Sequence, residues 1–513
     1  MAGSGPGTEE AVTREAGRGG LAVAFAKVYF ILQGLVQQIA LPRVLGLDGY
    51  GAWSTVNSIA SITYNPVVSM SIQGVSRAVA ATAPAEQAAA LRRAMRVHAL
   101  FAVAMGTGFW FLAPFITESA GAPHVMLALR ILSVCMVLYG LYAPLIGALN
   151  GQRRFFAQAG FDVLAATMRT LGLVGGAYYL ADRGLAVEGA ASGFVLGLTL
   201  VFVLALAVVG VGRPGAGGPS VKQHLAFVAP VLAGHVLLNL LLQADLNLLR
   251  RFAADSAVAA GLPMTAADPL VGAYRATQTF SFLPYQLLIS VNFILFPMLA
   301  SAVRDQNRDA IARYVKTGVR IAMIVAGLMV SVTAGLSMPL IRLVFGEQAA
   351  ELGGRSLALL AIGFGGFAIF GVLTTVLNSL KRERSSALVT GLAASLVIAL
   401  CFVRVRGTAF GEELLFQTAF ATSIAIAVAT LGAGLIVYRT AGAVAAPGTM
   451  LRVLFAAAVS ITVGRFLPAA GAIWTLFAAA CVALAYVALL LISRELGAAD
   501  LATLKAVVKR RRG

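Results

Sequence analysis

From Gly471 to Ser493 the chain reads GAIWTLFAAACVALAYVALLLIS, without one charged residue. As an α-helix this stretch is about 34 Å long, enough to cross a bilayer core of roughly 30 Å. It shows no alternation of period two, and its Ala/Leu-rich composition argues against a strand. The same pattern recurs along the 513 residues, at 21–41, 52–74, 95–117, 126–149, 156–180, 187–210, 225–249, 270–297, 317–338, 356–379, 386–403, 413–438 and 450–467. With 471–493, the expectation is fourteen transmembrane helices and an all-α integral membrane protein. The segments 386–403, which is short, and 52–74, which is rich in Ser and Asn, are the weakest of the set.

Composition agrees. Apolar residues make up 59% of the chain and charged residues only 12%, with a mean hydropathy of +0.87. A water-soluble enzyme cannot bury that much apolar surface, so this class is excluded for the main body. The connecting loops are short, and the largest, about 250–269, is too small for a domain. The first twenty residues are Gly-rich and polar without an apolar centre, so no cleavable signal is read and the first apolar run is itself expected to span. Cys135, Cys401 and Cys481 lie far apart in apolar runs, which gives neither a disulfide framework nor a metal site.

The net charge of +18 comes from 39 basic and 21 acidic residues. In a soluble protein this would suggest nucleic acid; in a membrane protein it marks cytoplasmic loops. The flanks formed by the N-terminus, the loops after helices 2, 4, 6, 8, 10 and 12, and the C-terminus carry 26 Lys/Arg, and the opposite flanks carry 11. Both termini are therefore expected in the cytoplasm. The tail from Lys505 to Arg512 is expected to rest on anionic headgroups as a topological anchor.

The two halves of the chain resemble each other. Gly51-Ala52-Trp53-Ser54 and Gly272-Ala273-Tyr274-Arg275 open helices 2 and 8 at an offset of 221, at which Asn57-Ser58 meets Gln278-Thr279 and Ser69 meets Ser290. Pro66 and Pro284 follow as mid-helix prolines. Leu149-Asn150-x-x-Arg153 ends helix 4 and Leu377-Asn378-x-x-Lys381 ends helix 10, at an offset of 228. Six helices per repeat return the chain to the same side, so the copies are parallel. The expected organisation is a cytoplasmic N-terminal tail (1–20), an N-lobe (21–210), a cytoplasmic linker (211–224), a C-lobe (225–438), two additional helices (450–493) and a basic cytoplasmic tail (494–513). Two such lobes suit alternating access around a cleft.

Polar residues at membrane depth mark the faces that line such a cleft. Helix 1 carries Lys27, with Gly34, Gln37 and Gln38 on one stripe. Helix 2 offers Ser54, Asn57, Ser61, Tyr64 and Asn65. Asp162 and Arg169 lie two turns apart on one face of helix 5. Helix 7 carries His235, Asn239, Gln243 and Asn247, followed by Arg250 and Arg251, with Asp245 directed elsewhere. Helix 8 groups Arg275, Thr279, Gln286 and Ser290, with Gln278 at the edge. The excess of Lys27, Arg169, Arg250, Arg251 and Arg275 over Asp162 and Asp245 favours an anionic ligand such as phosphate or pyrophosphate. Each residue also has a plainer reading. Lys27 fits a snorkelling side chain, and Arg250 and Arg251 fit interfacial anchors. Asp162 and Arg169 can satisfy each other. His235 fits a hydrogen-bonded bundle residue as well as a coupling site, the role also considered for Asp245 and Asp162. Pro66 and Pro284 are candidate gating kinks.

The segment Leu41-Pro42-Arg43-Val44-Leu45-Gly46-Leu47-Asp48-Gly49-Tyr50-Gly51-Ala52-Trp53 resembles the R-x-L-G-x-x-x-Y-G-x-[WY] signature of the polysaccharide flippases in the multidrug/oligosaccharidyl-lipid/polysaccharide (MOP) transporter superfamily. Val271-Gly272-Ala273-Tyr274 matches the V-G-x-Y of the second half, Phe296-Pro297 resembles the usual end of helix 8, and Asn150 with Arg153-Arg154 fits the loop after helix 4. The resemblance implies two six-helix lobes in a V-shaped architecture similar to the multidrug (MATE) exporters, with two extra helices whose groove would take a lipid tail. It implies transfer of a polyprenyl-pyrophosphate-linked oligosaccharide, an O-antigen or exopolysaccharide repeat unit, to the periplasmic leaflet of a bacterial inner membrane. It also implies cationic cavity residues for the pyrophosphate and ion coupling by H+ or Na+, although helices 11 and 12 lack the buried carboxylates of a sodium site. A polysaccharide polymerase is a candidate partner; nucleic acid is not. The lipid II flippase shares the architecture, but its first loop differs from Tyr50-Gly51-Ala52-Trp53. A multidrug exporter would have twelve spans and an acidic pocket. A membrane glycosyltransferase or polymerase needs a catalytic carboxylate, and the chain has no D-x-D pair. No G-x-x-x-x-G-K-[ST] motif is present, so direct ATP use and any bound cofactor are not expected.

Overall fold

A computed structural model describes residues 6–215, 217–469 and 471–497. The basic tail Lys505–Arg512 lies outside the described residues, which are helices and short connections with no strand among them. The fifteen α-helices are α1 (Pro6–Ala80), α2 (Gln87–Ser119), α3 (Met126–Gly151), α4 (Phe155–Ala181), α5 (Ala186–Val209), α6 (Val221–Ala259), α7 (Asp268–Ser281), α8 (Leu283–Arg304), α9 (Arg308–Gly335), α10 (Ser337–Phe345), α11 (Glu347–Ser379), α12 (Glu383–Arg404), α13 (Glu412–Ala441), α14 (Pro447–Phe466) and α15 (Gly471–Ile492).

Eleven helices among the described residues are long and apolar enough to cross a membrane, and a bent pair makes twelve. The chain is a multi-pass membrane protein. All fourteen expected segments coincide with helical structure to within a residue or two, yet the count of fourteen spans is not reproduced, for three reasons. Segments 21–41 and 52–74 form the single element α1, broken at Gly46. Segment 156–180 forms α4, which carries Asp162 and Arg169 and is not among the eleven. Segment 270–297 is the bent pair. The expected loop 250–269 is largely helical, since α6 continues to Ala259 and a 3-10 turn covers Met264–Ala267.

The chain divides into two compact units, Met1–Gly272 and Ala273–Gly513. In the first, Gly46 (φ 69°, ψ 176°) turns α1 in a conformation that a side chain disfavours. Beyond the turn, Trp53, Val56 and Tyr64 pack into a core with Leu129, Leu132 and Met136 of α3 and Phe194 and Leu198 of α5. Helices α4 and α5 meet backbone to backbone at paired glycines. A Cβ on Gly172 would stand 2.1 Å from the Gly193 carbonyl oxygen, and one on Gly176 would stand 2.1 Å from that of Gly189. This is the small-xxx-small device of membrane helices, in which missing side chains bring backbones into van der Waals contact. Gly51 and Gly272, the residues that register the sequence repeat, meet in the same way: a Cβ on Gly51 would lie 2.9 Å from the Gly272 nitrogen and 1.8 Å from the Asp268 oxygen. Helix α6 begins with a capping box, Ser220 and Gln223 each bonding the other's backbone N–H.

In the second unit, Phe282 and Tyr285 join Phe364, Phe367 and Phe370 of α11 in an aromatic cluster with ring centroids 4.8–6.0 Å apart. The final helices dock on α9. Gly335 meets Gly464 of α14, and the Tyr486 hydroxyl of α15 donates to the Ile324 carbonyl at 3.0 Å. Past α15, Glu495 is 3% exposed and ion-paired to Arg320 of α9 (2.8 Å) and Arg452 of α14 (3.1 Å), and it accepts from Thr449 at 2.9 Å. Burial alone would favour its neutral form. The hydrogen bonds from Arg320, Thr449 and Arg452 and the charge of Arg320 outweigh this and hold the carboxyl below the usual carboxylate range.

Each unit carries its own copy of one helix end. Arg153 (φ 60°) and Lys381 (φ 58°) are both left-handed. Arg154 N–H returns to the Leu149 carbonyl and Arg382 N–H to that of Leu377, each at 2.8 Å. The Leu-Asn-x-x-basic repeat in the sequence is thus a repeated helix C-terminus closed by backbone hydrogen bonds.

The prolines require a correction. Pro284 is not a mid-helix kink but stands in the first turn of α8, after the interruption at Phe282. The bend of 41° falls between Asn292 and Leu295, one turn before Pro297, whose ring has no room for the carbonyl four residues earlier. Pro66 is accommodated within α1, where Gly46 is the residue with non-helical backbone.

Candidate functional site

Two polar assemblies form in the first unit. The first joins α1 to α4. Lys27 Nζ lies 3.2 Å from Asp162 Oδ2, with side-chain exposures of 47% and 15%. Two residues along α1, the Tyr29 hydroxyl is 2.8 Å from Thr167 Oγ1 and accepts from Gln33 Nε2 at 2.8 Å. The Arg169 guanidinium lies 5.0 Å from the centre of the Phe30 ring, and its Nε is buried without a hydrogen-bond partner. Asp162 therefore pairs with Lys27 and not with Arg169. On one helix face the two residues of α4 are two turns apart, whereas α1 runs alongside and brings Lys27 directly opposite Asp162.

The second assembly joins α1 to α6. Ser58 donates to Gln243 Oε1 at 2.9 Å and accepts from Asn247 Nδ2 at 2.8 Å. Asn65 Nδ2 donates to Asn239 Oδ1 at 2.9 Å. Asn239 in turn donates to the His235 carbonyl, and His235 Nδ1 lies 2.9 Å from the Val231 carbonyl. The polar stripes of α1 and α6 face each other and are joined by amide and hydroxyl hydrogen bonds. Within α1, the Tyr64 hydroxyl donates to Asn57 Oδ1 at 3.0 Å, and the Tyr50 hydroxyl donates to Gln38 Oε1 across the Gly46 turn. Gln37 Oε1 is buried without a hydrogen-bond partner.

The remaining residues are placed differently. Arg250 is fully buried and donates to the carbonyls of Gly121 (2.8 Å) and Met264 (3.0 Å), with Asp268 at 3.5 Å. Asp268 also meets His124 at 3.0 Å. Arg250 is built into the fold as a cross-link between α6, the turn after α2 and the start of α7. Arg251 is partly exposed beside Asp255 at 3.1 Å and donates to the Glu118 and Ser119 carbonyls, each at 3.3 Å. Asp245 is buried, with its Oδ1 accepting from the Leu246 N–H at 2.8 Å. In the second unit, the half-buried Arg275 donates to Gln278 Oε1 at 3.0 Å, and the Arg275 carbonyl accepts from Thr279 at 3.0 Å. Gln286 Oε1 is buried without a hydrogen-bond partner.

Residues 40–352, more than half of the chain, match the family model described as "Polysaccharide biosynthesis protein". The chain belongs to the polysaccharide biosynthesis protein family. The matched segment begins just before the Leu41–Trp53 signature and contains α2 to α10 and the polar stripe of α6. No curated protein sequence matches at a significant level. Among solved structures, "Lipid II flippase MurJ, inward closed conformation" superimposes with a TM-score of 0.74 at 14% identity, over 93% of this chain and 99% of that one. An outward-facing multidrug resistance MATE transporter of the MOP superfamily gives 0.59 at 13% identity, over 83% and 96%. A MOP superfamily transporter from Pyrococcus furiosus with a binding pocket of reverse polarity gives 0.58 at 13% identity, over 82% and 95%. This family member therefore has the fold of the MOP superfamily.

Sequence reasoning missed three features. The Gly172/Gly176 and Gly189/Gly193 contacts were legible as G-x-x-x-G spacings. Glu495 left a weaker signal, an acid just past the last span. The third is a pair of buried histidines, His98 and His224, 126 positions apart and without local signature.

Proposed function

We propose that this family member is a flippase that carries a polyprenyl-pyrophosphate-linked oligosaccharide from the cytoplasmic to the periplasmic leaflet of a bacterial inner membrane by alternating access. The observation that carries the reading is the family match over residues 40–352 on a chain with the lipid II flippase fold over 93% of its length. Lys27, Arg169 and Arg275 are the cationic groups within reach of a ligand, since Arg250 is occupied in the fold. Lys27 is the most exposed partner of its pair, and an arriving phosphate would compete with Asp162 for its ammonium. The exposed apolar side chains of α14 and α15, among them Phe455, Phe466, Trp474 and Phe477, give the lipid tail a surface to lie on. The Lys/Arg distribution supports a cytoplasmic position for both termini. The chain acts as a transporter and not an enzyme, driven by H+ or Na+, and hands its glycan to a polymerase.

Deleting the gene tests this. A lipid-linked glycan should accumulate on the cytoplasmic face, and its identity names the cargo. Lys27→Ala and Arg275→Ala should each lower surface polysaccharide in the complemented strain at equal protein level; full activity of both would remove these residues from the site. The MurJ likeness favours lipid II as the second reading. Rescue of a strain depleted of its own lipid II flippase would establish that alternative.

A further inference from the structure

Three helices of the first unit meet at two buried histidines. His98 of α2 and His224 of α6 place their Nε2 atoms 3.0 Å apart, with the rings at 87°. The other nitrogen of His98, Nδ1, is 3.0 Å from Ser71 Oγ of α1. The approach depends on Gly74, where a Cβ would stand 2.4 Å from Val228 and 3.3 Å from His224 Cε1.

Two imidazole nitrogens at this distance share exactly one hydrogen: one donates and the other accepts. In one arrangement His98 donates, its Nδ1 accepts from Ser71, and His224 carries its single hydrogen on Nδ1. In the other, His224 donates, His98 carries Nδ1–H toward Ser71, and His224 Nδ1 is bare. A further proton added to a bare Nδ1 leaves the shared bond intact, whereas a fourth would force two N–H groups against each other. The pair thus has room for one extra proton, with His224 Nδ1 and Ser71 as its two ends.

A small, partly open pocket lined by Arg93, Val97, Pro219, Val221 and His224 adjoins the pair beside the loop between α5 and α6. The charged surroundings come from every neighbouring element. From α1, Arg77 lies over the Phe227 ring of α6 at 4.1 Å. From α2, Arg93 donates to the Gly218 and Pro219 carbonyls, and Arg96 is exposed. Glu86 stands against Gly217, and Lys222 of α6 is exposed. Helix α3 presents Gly140 to the His98 turn, and its Tyr139 and Tyr142 are turned to Tyr64 and to the Phe161 carbonyl. Among the described residues neither ring has a carboxylate partner, in contrast to His124, which pairs with Asp268.

We propose that the His98–His224 pair is a proton-binding site that takes up one coupling proton through the pocket at His224. The coupling role rests on the transporter reading; the proton site itself does not.

The chain has four histidines, few enough to follow individually. The full-length protein, labelled with 15N-histidine and held in lipid nanodiscs, should show a through-bond 15N–15N coupling between two Nε2 atoms. Between pH 8 and pH 4 the pair should gain one proton in total, and H98Q or H224Q should abolish the coupling and alter the titration of the remaining partner. Two independent titrations unaffected by loss of the partner, or no proton gained by pH 4, would overturn the site. In the deletion strain, wild-type surface polysaccharide should vary with external pH. H98Q and H224Q should flatten that profile and lower output at least tenfold, while H124Q keeps the wild-type profile. A wild-type pH profile in both variants, with the NMR signature present, would overturn the coupling role. Failure of the wild-type gene itself to restore polysaccharide would instead sink the transporter reading and leave the titration standing.

Discussion

Adjacent glycines on α4 provide a discriminating test of the helix packing that holds Asp162 and Arg169 in place. Gly176 faces α5, where a Cβ would stand 2.1 Å from the Gly189 carbonyl oxygen and 2.9 Å from its carbon; beside Gly175 nothing lies within 4 Å. Real Cβ contacts essentially never fall below 3.0 Å, so Gly176→Ala must part the helices locally by about 1 Å. A gap of that size forfeits roughly a quarter to a half of the dispersion energy of each affected contact. Overpacking of this kind costs about 1–3 kcal/mol, and because backbone meets backbone here, with no flexible side chain to yield, the upper end applies. Gly175→Ala meets no obstacle and should gain about 0.5–1 kcal/mol from helix propensity. The two substitutions should therefore act in opposite directions and differ by about 3.5–4 kcal/mol. Thermal unfolding of the purified variants in detergent, followed by intrinsic fluorescence, measures this. Equal midpoints, or a stable Gly176→Ala, would refute the glycine-mediated contact of α4 and α5.

Further outcomes follow from the ion pairs. Glu495→Gln removes the buried partner of Arg320 and Arg452 and should cost about 2–4 kcal/mol, less than the full value for a buried pair because both arginines are partly exposed. Since the Glu495 carboxyl is held below its ordinary range, its stabilisation is fully present above the unfolded-state value and lost as pH falls through the lower folded-state value. The gap in melting temperature between wild type and Glu495→Gln should stay constant from pH 8 to pH 5 and close at more acidic pH. Arg250→Met should lower the midpoint strongly, by about 3–5 kcal/mol equivalent, because it strands the Gly121 and Met264 carbonyls and the Asp268 carboxylate; a stable Arg250→Met with lost transport would instead make Arg250 a ligand residue. Asp162→Asn should change stability by less than about 1 kcal/mol, as fits a pair with one half-exposed partner, and should leave Lys27 free for an anion; a transport assay at limiting substrate reads the effect.

Much of the candidate site was legible one helix at a time. The stripes of α1 and α6 were visible at helical spacing, and the structure shows them hydrogen-bonded through Ser58, Asn65, Asn239 and Gln243. What spacing along one helix cannot tell is which residue stands across from which. Asp162 and Arg169 invited an internal pairing, and the ion pair went to Lys27, 135 positions away. Arg250 had the composition of a ligand residue or an interfacial anchor, and only its burial against two carbonyls shows it to be a cross-link. The repeat was readable because equivalent local geometry needs equivalent residues, as the left-handed Arg153 and Lys381 show.

Hydropathy, period and loop charge act within a few turns of chain, and they sufficed for the bilayer and the helices. Pairing is a matter of which surfaces come to lie side by side. Helix crossing points depend on sub-ångström backbone clearances such as those at Gly51, Gly176 and Gly272, and long-range partners such as His98 with His224 or Glu495 with Arg320 exist only once those crossings have been made.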